Sequence, residues 1–594
     1  MKKAIIPVFI FVAVVTCVYS MHDFNARYLE VNVTYTLKTD GTQIYDYFHR
    51  VKLLNSTRGF GESFIKYNPE FQKLEVIGSV TTMADGRKIK TPENGYNEVL
   101  PREAKRFASF SNLREMVISH TGIERGAEIE LRYRIITKKG FIPYFTGKEF
   151  LTKRVPVDKY TLAIKLPENE ELRYKIFNCS VKPEKKVENG IINYFFRREN
   201  IAAYRQNSYV ENYDRPHIIF SNLKSSRKLF PDILDNEDTF KKLEDTISKI
   251  KKKDISGVEL LKIIKREIID TFENCFVDLK LSGFRIRSVK DIIKSGYATS
   301  YEKVLILKKL LGRFGFKNRL VSVLPFFKTS DNLFSYLNSI GFICAVSSNG
   351  EDVYIDPIEV GTDFHVKKYC DMPLIDTETG KVIASIKHDI KTDSLILNGK
   401  ILLKGDKISG NMNLYTSGSY FSYSKFLKDK NSIYKNNVKK IFPVSKVKNI
   451  KILKVTSDFA EISGEIETKP LERVYGEFLF LKSFPIPKIS EDMVSKDQIM
   501  YPITIASPFL VKVSLSFDID NGYVVDAVKR STKIDNAVGT FEYSVKENKK
   551  NHLDIYLKFL LKKGKIGKGN YLNLKQLVNT ALDREFQIIL KKKG

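Results

Sequence analysis

Thr299-Ser300-Tyr301-Glu302-Lys303 is the stretch whose residue types and spacing come nearest to a chemical arrangement. Behind it, Val304, Leu307, Leu311 and Phe314 fall at i, i+3, i+7 and i+10, one stripe of a 3.6-residue period. Ser295-Gly296 before it reads as a tight turn. Thr299-x-x-Glu302 has the form of a capping box, in which the Thr hydroxyl accepts from the third helical amide and the Glu carboxylate accepts from the cap amide. Ser300 then takes the first helical position, where free amides and the helix dipole favour negative charge. A thiolate would be stabilised there, but the chain supplies a hydroxyl. A serine nucleophile needs a general base within hydrogen-bonding reach. The chain has 7 histidines. His49, His120 and His217 stand alone between strand residues and read as solvated or hydrogen-bonded bystanders, leaving His365 as the candidate for a relocated base. Cys275 lies in an alternating apolar context and reads as a core thiol.

The elements that position this stretch are drawn from a chain of 594 residues, a length that calls for three or four domains at one per ~150 residues. Composition is globular: 43% hydrophobic and 28% charged, with 30 Tyr, 40 Phe and no Trp. The net charge of +29 is spread along the chain rather than gathered on one arm or helix face, and no nucleic-acid motif accompanies it. The expectation is therefore no nucleic-acid partner. Met1-Lys2-Lys3 followed by the apolar run from Ala4 to Ser20 has the pattern of a secretory signal cleaved after Ser20, which predicts a periplasmic or secreted protein. An uncleaved anchor or a lipid on Cys17 are weaker readings: the run is short and carries Pro7, and Val14-Val15-Thr16 is a poor lipobox. Membrane association is expected through these routes alone. Cys179, Cys275, Cys344 and Cys370 allow three pairings, and spacing does not choose between free thiols and a disulfide.

In chain order, 21–225 reads as a β-sandwich, clearest where Ile129, Leu131, Tyr133 and Ile135 alternate with charged residues. Asp40-Gly41 and Asp85-Gly86 read as turns. Over 226–385 the pattern changes to helices, then strands: stripes at Leu243, Ile247 and Ile250 and at Leu260, Ile264 and Ile268, a helix ending at Gly315, and strands at Asn318–Val323, Phe342–Val346 and Val353–Ile355 around a Ser348-Asn349-Gly350 turn. Over 386–594 the pattern is β again. Asn398-Gly399 between two aliphatic triplets predicts a hairpin, Lys562 to Lys568 a solvated loop, Tyr571 to Leu582 a short helix and Phe586 to Leu590 a last strand. The fold class is thus mainly β with a central α+β module. No Ca²⁺-spaced acidic loop, metal cluster or phosphate-binding glycine loop appears, so no metal or cofactor is expected.

Gly296-Tyr297-Ala298-Thr299-Ser300-Tyr301-Glu302-Lys303, the strand Gly341-Phe342-Ile343-Cys344-Ala345-Val346 and Asp356-Pro357 together resemble a transglutaminase-like (papain-related) core. The flanking segments resemble a bacterial envelope branch of it, with an N-terminal β-domain of unknown function. The resemblance implies a Cys at the helix start, a His on a later strand and an Asp on the one after that. Here those positions carry Ser300, Gly341 and Asp356. It therefore implies a degenerate site with no catalytic residue, in a protein that binds or scaffolds a protein or peptide partner in the bacterial envelope. The alternative is a hydrolase or acyltransferase using Ser300 with His365.

Overall fold

The computed structural model describes residues 24–593, apart from 205–214, 225–236, 251–256, 325–334, 349–350, 359–368, 370–371, 386–391, 422–425, 427–428, 457–458, 469–476, 482–483, 500–501, 529–530, 584–585 and single positions 406, 443, 496, 498 and 506. The Met1–Ser20 stretch, Cys17 within it, His365, Cys370, the Ser225-Ser226 boundary and the expected Asn349-Gly350 turn lie outside the described residues. The chain is mainly β and multidomain, with helices concentrated between two β-rich parts.

An eight-stranded sheet comes first, with Ala26–Leu37 and Gln43–Leu53 at its centre. Gly41, at φ +86, turns one into the other. Its alternating pattern places Val31, Val33, Leu131 and Leu162 in the core. Three-stranded sheets cover this one, and one of them, formed by Thr146–Phe150, Arg173–Phe177 and His217–Ser221, carries Ile219 into the helical layer that follows.

Helices α1 (Glu237–Ile250), α2 (Gly257–Thr271), α3 (Leu279–Ser282), α4 (Val289–Ser295) and α5 (Ser300–Arg313) come next. They pack on a five-stranded sheet whose centre is Asn318–Val323, flanked by Gly341–Ser348 and Glu351–Ile355 on one side and Pro373–Asp376 and Val382–Ser385 on the other. Val304, Leu307 and Leu311 are wholly buried, as the stripe predicts, and α5 is the central helix of this layer, in contact with α2 and three strands. Gly315, at φ +83, takes the left-handed position just past its end.

The C-terminal part is built on a second eight-stranded sheet covered by helices Lys430–Ile441 and Lys568–Ala581. Here two expectations fail. Asn398-Gly399 is no hairpin: Asp393–Lys404 is one continuous strand, and the reversal comes after it, with Gly405 at φ +59. Gly399 is needed for close approach instead, since a Cβ there would lie 2.5 Å from the Asn411 carbonyl oxygen. The basic run after Lys562 is not all loop, because Gly564–Ile566 pairs with Ile503–Ile505 and a helix starts at Lys568. Among the described residues no helix is long and apolar enough to cross a membrane.

Candidate functional site: the N-terminus of α5

Gly296, at φ +71, ends α4 and turns the chain into Tyr297–Thr299, a short strand parallel to Glu273–Cys275. That pairing delivers Thr299 to the start of α5 in an extended conformation. Both halves of the capping box form: Thr299 Oγ1 accepts from the Glu302 amide (3.2 Å), and Glu302 Oε2 accepts from the Thr299 amide (2.9 Å).

Glu302 does more than cap. Its carboxylate, 3% exposed, receives the Arg287 guanidinium in a forked pair, Nε to Oε1 at 2.9 Å and Nη2 to Oε2 at 2.8 Å, with the Arg287 amide adding a third bond to Oε1. Arg287 also donates to the Tyr297 carbonyl and to the hydroxyls of Ser295 and Ser109. Burial disfavours the Arg287 charge, but its bonds to Glu302 outweigh this and raise its pKa. Ser109 belongs to the N-terminal β part, and its amide and hydroxyl both bond the Tyr297 phenol at 2.7 Å. Phe107, Phe110 and Leu113 pack there with Tyr297 and Cys275 in one apolar cluster. The start of α5 is therefore braced from the N-terminal domain through Arg287 and Tyr297.

Lys303 points the other way. Only 1% exposed, it donates to the Phe272 carbonyl and to Asn274 Oδ1, both at 2.6 Å. Burial lowers its pKa to about 8, while the carboxylates of Asp356 and Glu273 act in the opposite sense. Asp356 is 1% exposed, and its Oδ1 accepts from the Ile358 amide at 2.8 Å, a turn-forming bond across Pro357. Asp356 thus lies in the field of a buried ammonium.

Ser300 is exposed at the first turn, and among the described residues no imidazole lies within hydrogen-bonding distance of it. Gly341 begins its strand opposite Val323, under the phenol of Tyr369. A Cβ at Gly341 would sit 1.9 Å from the Tyr369 hydroxyl oxygen, so the position admits no side chain while that ring is in place. Tyr369 is 4% exposed and packs with Val321, Val323 and Ile343. The structure therefore brings Asp356 into the electrostatic range of α5 through Lys303, and fills the space above Gly341 with a tyrosine. Sequence reasoning found the capping box because it is local. It missed Arg287, Ser109 and Tyr369, whose partners are far away in the chain, and it missed the buried Lys303.

The remaining candidates are structural. Cys179, Cys275 and Cys344 are free thiols; burial pushes Cys275 up to about 11, and Cys344 higher still. The described N-terminal histidines are not solvated. His120 bridges the Ser63 and Ser79 hydroxyls at 2.9 Å each, and His217 Nδ1 meets the Arg215 carbonyl at 2.7 Å. Burial depresses His49 to about 3 and both others to about 4. Among the described residues no group of three or more His, Cys, Asp or Glu could hold a metal ion.

The family comparisons agree with this layout. Residues 39–205 match a domain of unknown function with a solved structure, DUF3857, and residues 475–590 match a second such domain, DUF3858. A crystal structure described as a "putative protease" from Parabacteroides distasonis shares the fold along nearly the whole chain. Its TM-score is 0.69 at 20% identity, covering 96% of this chain and 99% of that one. An M1 zinc metallopeptidase mutant from Deinococcus radiodurans is matched over 33% of this chain and 42% of its own, at 10% identity and a TM-score of 0.19. No curated protein matches in sequence. The two matched domains lie in the N-terminal and C-terminal β-rich parts, and the shared fold runs through the part between them as well.

Proposed function

We propose that this chain is an exported bacterial envelope protein whose transglutaminase-like centre does no chemistry and serves binding or scaffolding of a protein or peptide partner. One observation carries the non-catalytic reading: the Tyr369 hydroxyl occupies the space into which any side chain at Gly341 would project. An imidazole there would have to displace a ring packed among Val321, Val323 and Ile343. Acyl transfer through Ser300 needs a base to take its proton, and among the described residues no imidazole lies within hydrogen-bonding distance of Ser300. Glu302 is committed to Arg287, and Lys303 to Phe272 and Asn274. The basic start and apolar run of Met1 to Ser20 support export.

The test is turnover. The purified chain is incubated with glutaminyl peptides plus a primary amine, and separately with peptide and ester substrates, beside a Ser300→Ala protein. The expected outcome is the same background level of product from both proteins. Product formed by the wild type and lost in Ser300→Ala would establish the hydrolase or acyltransferase instead.

A further inference from the structure

The C-terminal eight-stranded sheet buries one face against its helices and turns the other outward. On that outer face the strand register aligns polar side chains in rows that run across the strands. Asn413, Asn398, Ser514, Tyr556 and Ser544 form one row, each directly opposite the next on the neighbouring strand. Asn411, Lys400, Ser516, Asp554 and Lys546 form the row beside it. All ten are exposed or half-buried, while the intervening Met412, Leu515, Ile555 and Val545 fill the core.

This face is hollow rather than flat. Gly399 and Gly464 both lie opposite Met412, on the two strands that flank it, and face the core side. A Cβ at Gly399 would meet the Asn411 carbonyl at 2.5 Å, and one at Gly464 would meet the Tyr434 ring at 2.8 Å. Tyr434, from helix Lys430–Ile441, bonds the Met412 and Gly464 carbonyls from beneath. The core side carries no side chain at these two positions, and glycine positions are where sheets curve. A groove of about 920 Å³ lies over the two rows. It crosses five strands, a span of roughly 19 Å at the spacing of neighbouring strands.

We propose that this groove is a binding site for a neutral oligosaccharide. Amide and hydroxyl side chains both donate and accept, which is what a run of sugar hydroxyls requires. The half-exposed Tyr556 ring stands in the middle of the first row as an apolar platform for a sugar's C–H face. The Lys512 ammonium, 5.5 Å from the ring centre, lies over it as a cover on a flexible stem. Charge argues against an anionic polymer. In a chain of net charge +29, the groove has three lysines, Lys400 and Lys546 in its lining and Lys512 over Tyr556, against one carboxylate, Asp554, a balance of only +2. Polyanion recognition calls for a dense cationic lining.

Affinity electrophoresis of the full chain, in gels cast with soluble neutral β-glucan, xylan, mannan or α-glucan, tests this. The expected result is retardation by at least one of them, indifferent to added salt. It is weakened about tenfold by Tyr556→Ala and removed by Asn398→Lys, which places a long side chain in the groove. Both positions are surface-facing, and unchanged thermal melting of the variants separates lost binding from lost folding. No retardation in any neutral glycan, equal retardation of wild type and variants, or retention only by an anionic polymer such as dextran sulfate that salt abolishes would each overturn the proposal. Ser300→Ala is expected to bind as wild type, so failure here leaves the reading of α5 untouched.

Discussion

Removing the Glu302 carboxylate would strand the Arg287 guanidinium, 15% exposed, beside the Tyr297 carbonyl with its strongest partner gone. Breaking a buried pair from one side costs about 3–5 kcal/mol, because the remaining charge stays desolvated. Glu302→Ala is therefore expected to lower stability by that amount in denaturant unfolding. Ser300→Ala, at an exposed site, should stay within ~0.5 kcal/mol. The cap itself was legible in Thr299-x-x-Glu302, three residues apart. Arg287 was not, because its contacts run to Glu302 across a turn and to Ser109 in another domain, and nothing local in Arg285-Ile286-Arg287 marks one arginine as buried.

At the scale of elements, periodicity read α1, α2 and α5 correctly and missed the short α3 and α4, which carry no full stripe. Asn318–Val323 and the strand that carries Gly341 emerged from alternation and turn residues, since both patterns are local. Asn398-Gly399 misled because the same dipeptide serves two purposes. In a hairpin it supplies positive φ; here Asn398 faces the groove and Gly399 lets the strand pass close to its neighbour. Gly399→Ala separates the two. In a two-residue turn the added methyl would meet only a strained φ, at a cost of about 1 kcal/mol. In the strand it collides with backbone at 2.5 Å, and neighbouring strands must shift. Chemical denaturation of Gly399→Ala is expected to show a loss of about 1–3 kcal/mol, as overpacking does, together with weaker binding in the groove.

For the whole molecule, acid sensitivity follows from three histidines held neutral. His49, His120 and His217 have folded pKa values of about 3, 4 and 4, below the ordinary 6.5, with burial the leading cause in each. Above pH 6.5 neither the folded nor the unfolded chain protonates them, and their contribution is fully present. Below 6.5 the unfolded chain takes up protons that the folded chain refuses, so stability falls until the folded values are reached. The melting temperature should accordingly drop between pH 6.5 and about 4, and His120→Asn should flatten part of that slope in scanning calorimetry. The three lie in the N-terminal part, whose Ser109 and Arg106 reach the core at Tyr297 and Glu273. Loosening that part in acid is expected to release the brace on α5 as well. The order of β, α+β and β patterns along the chain was readable, because each has its own period. Contacts between the parts were not, since they join residues far apart in the chain, through one apolar cluster around Tyr297 and a few polar bonds.

The non-catalytic reading of α5, carried by the Tyr369 hydroxyl above Gly341, requires that the exposed Ser300 hydroxyl beside the helix cap is not activated. Intact-mass measurement after incubation with a fluorophosphonate, which labels activated serines, decides this. The predicted spectrum shows wild type and Ser300→Ala alike, without a stoichiometric adduct. A single adduct on the wild type, mapped to Ser300 and missing from Ser300→Ala, would contradict it.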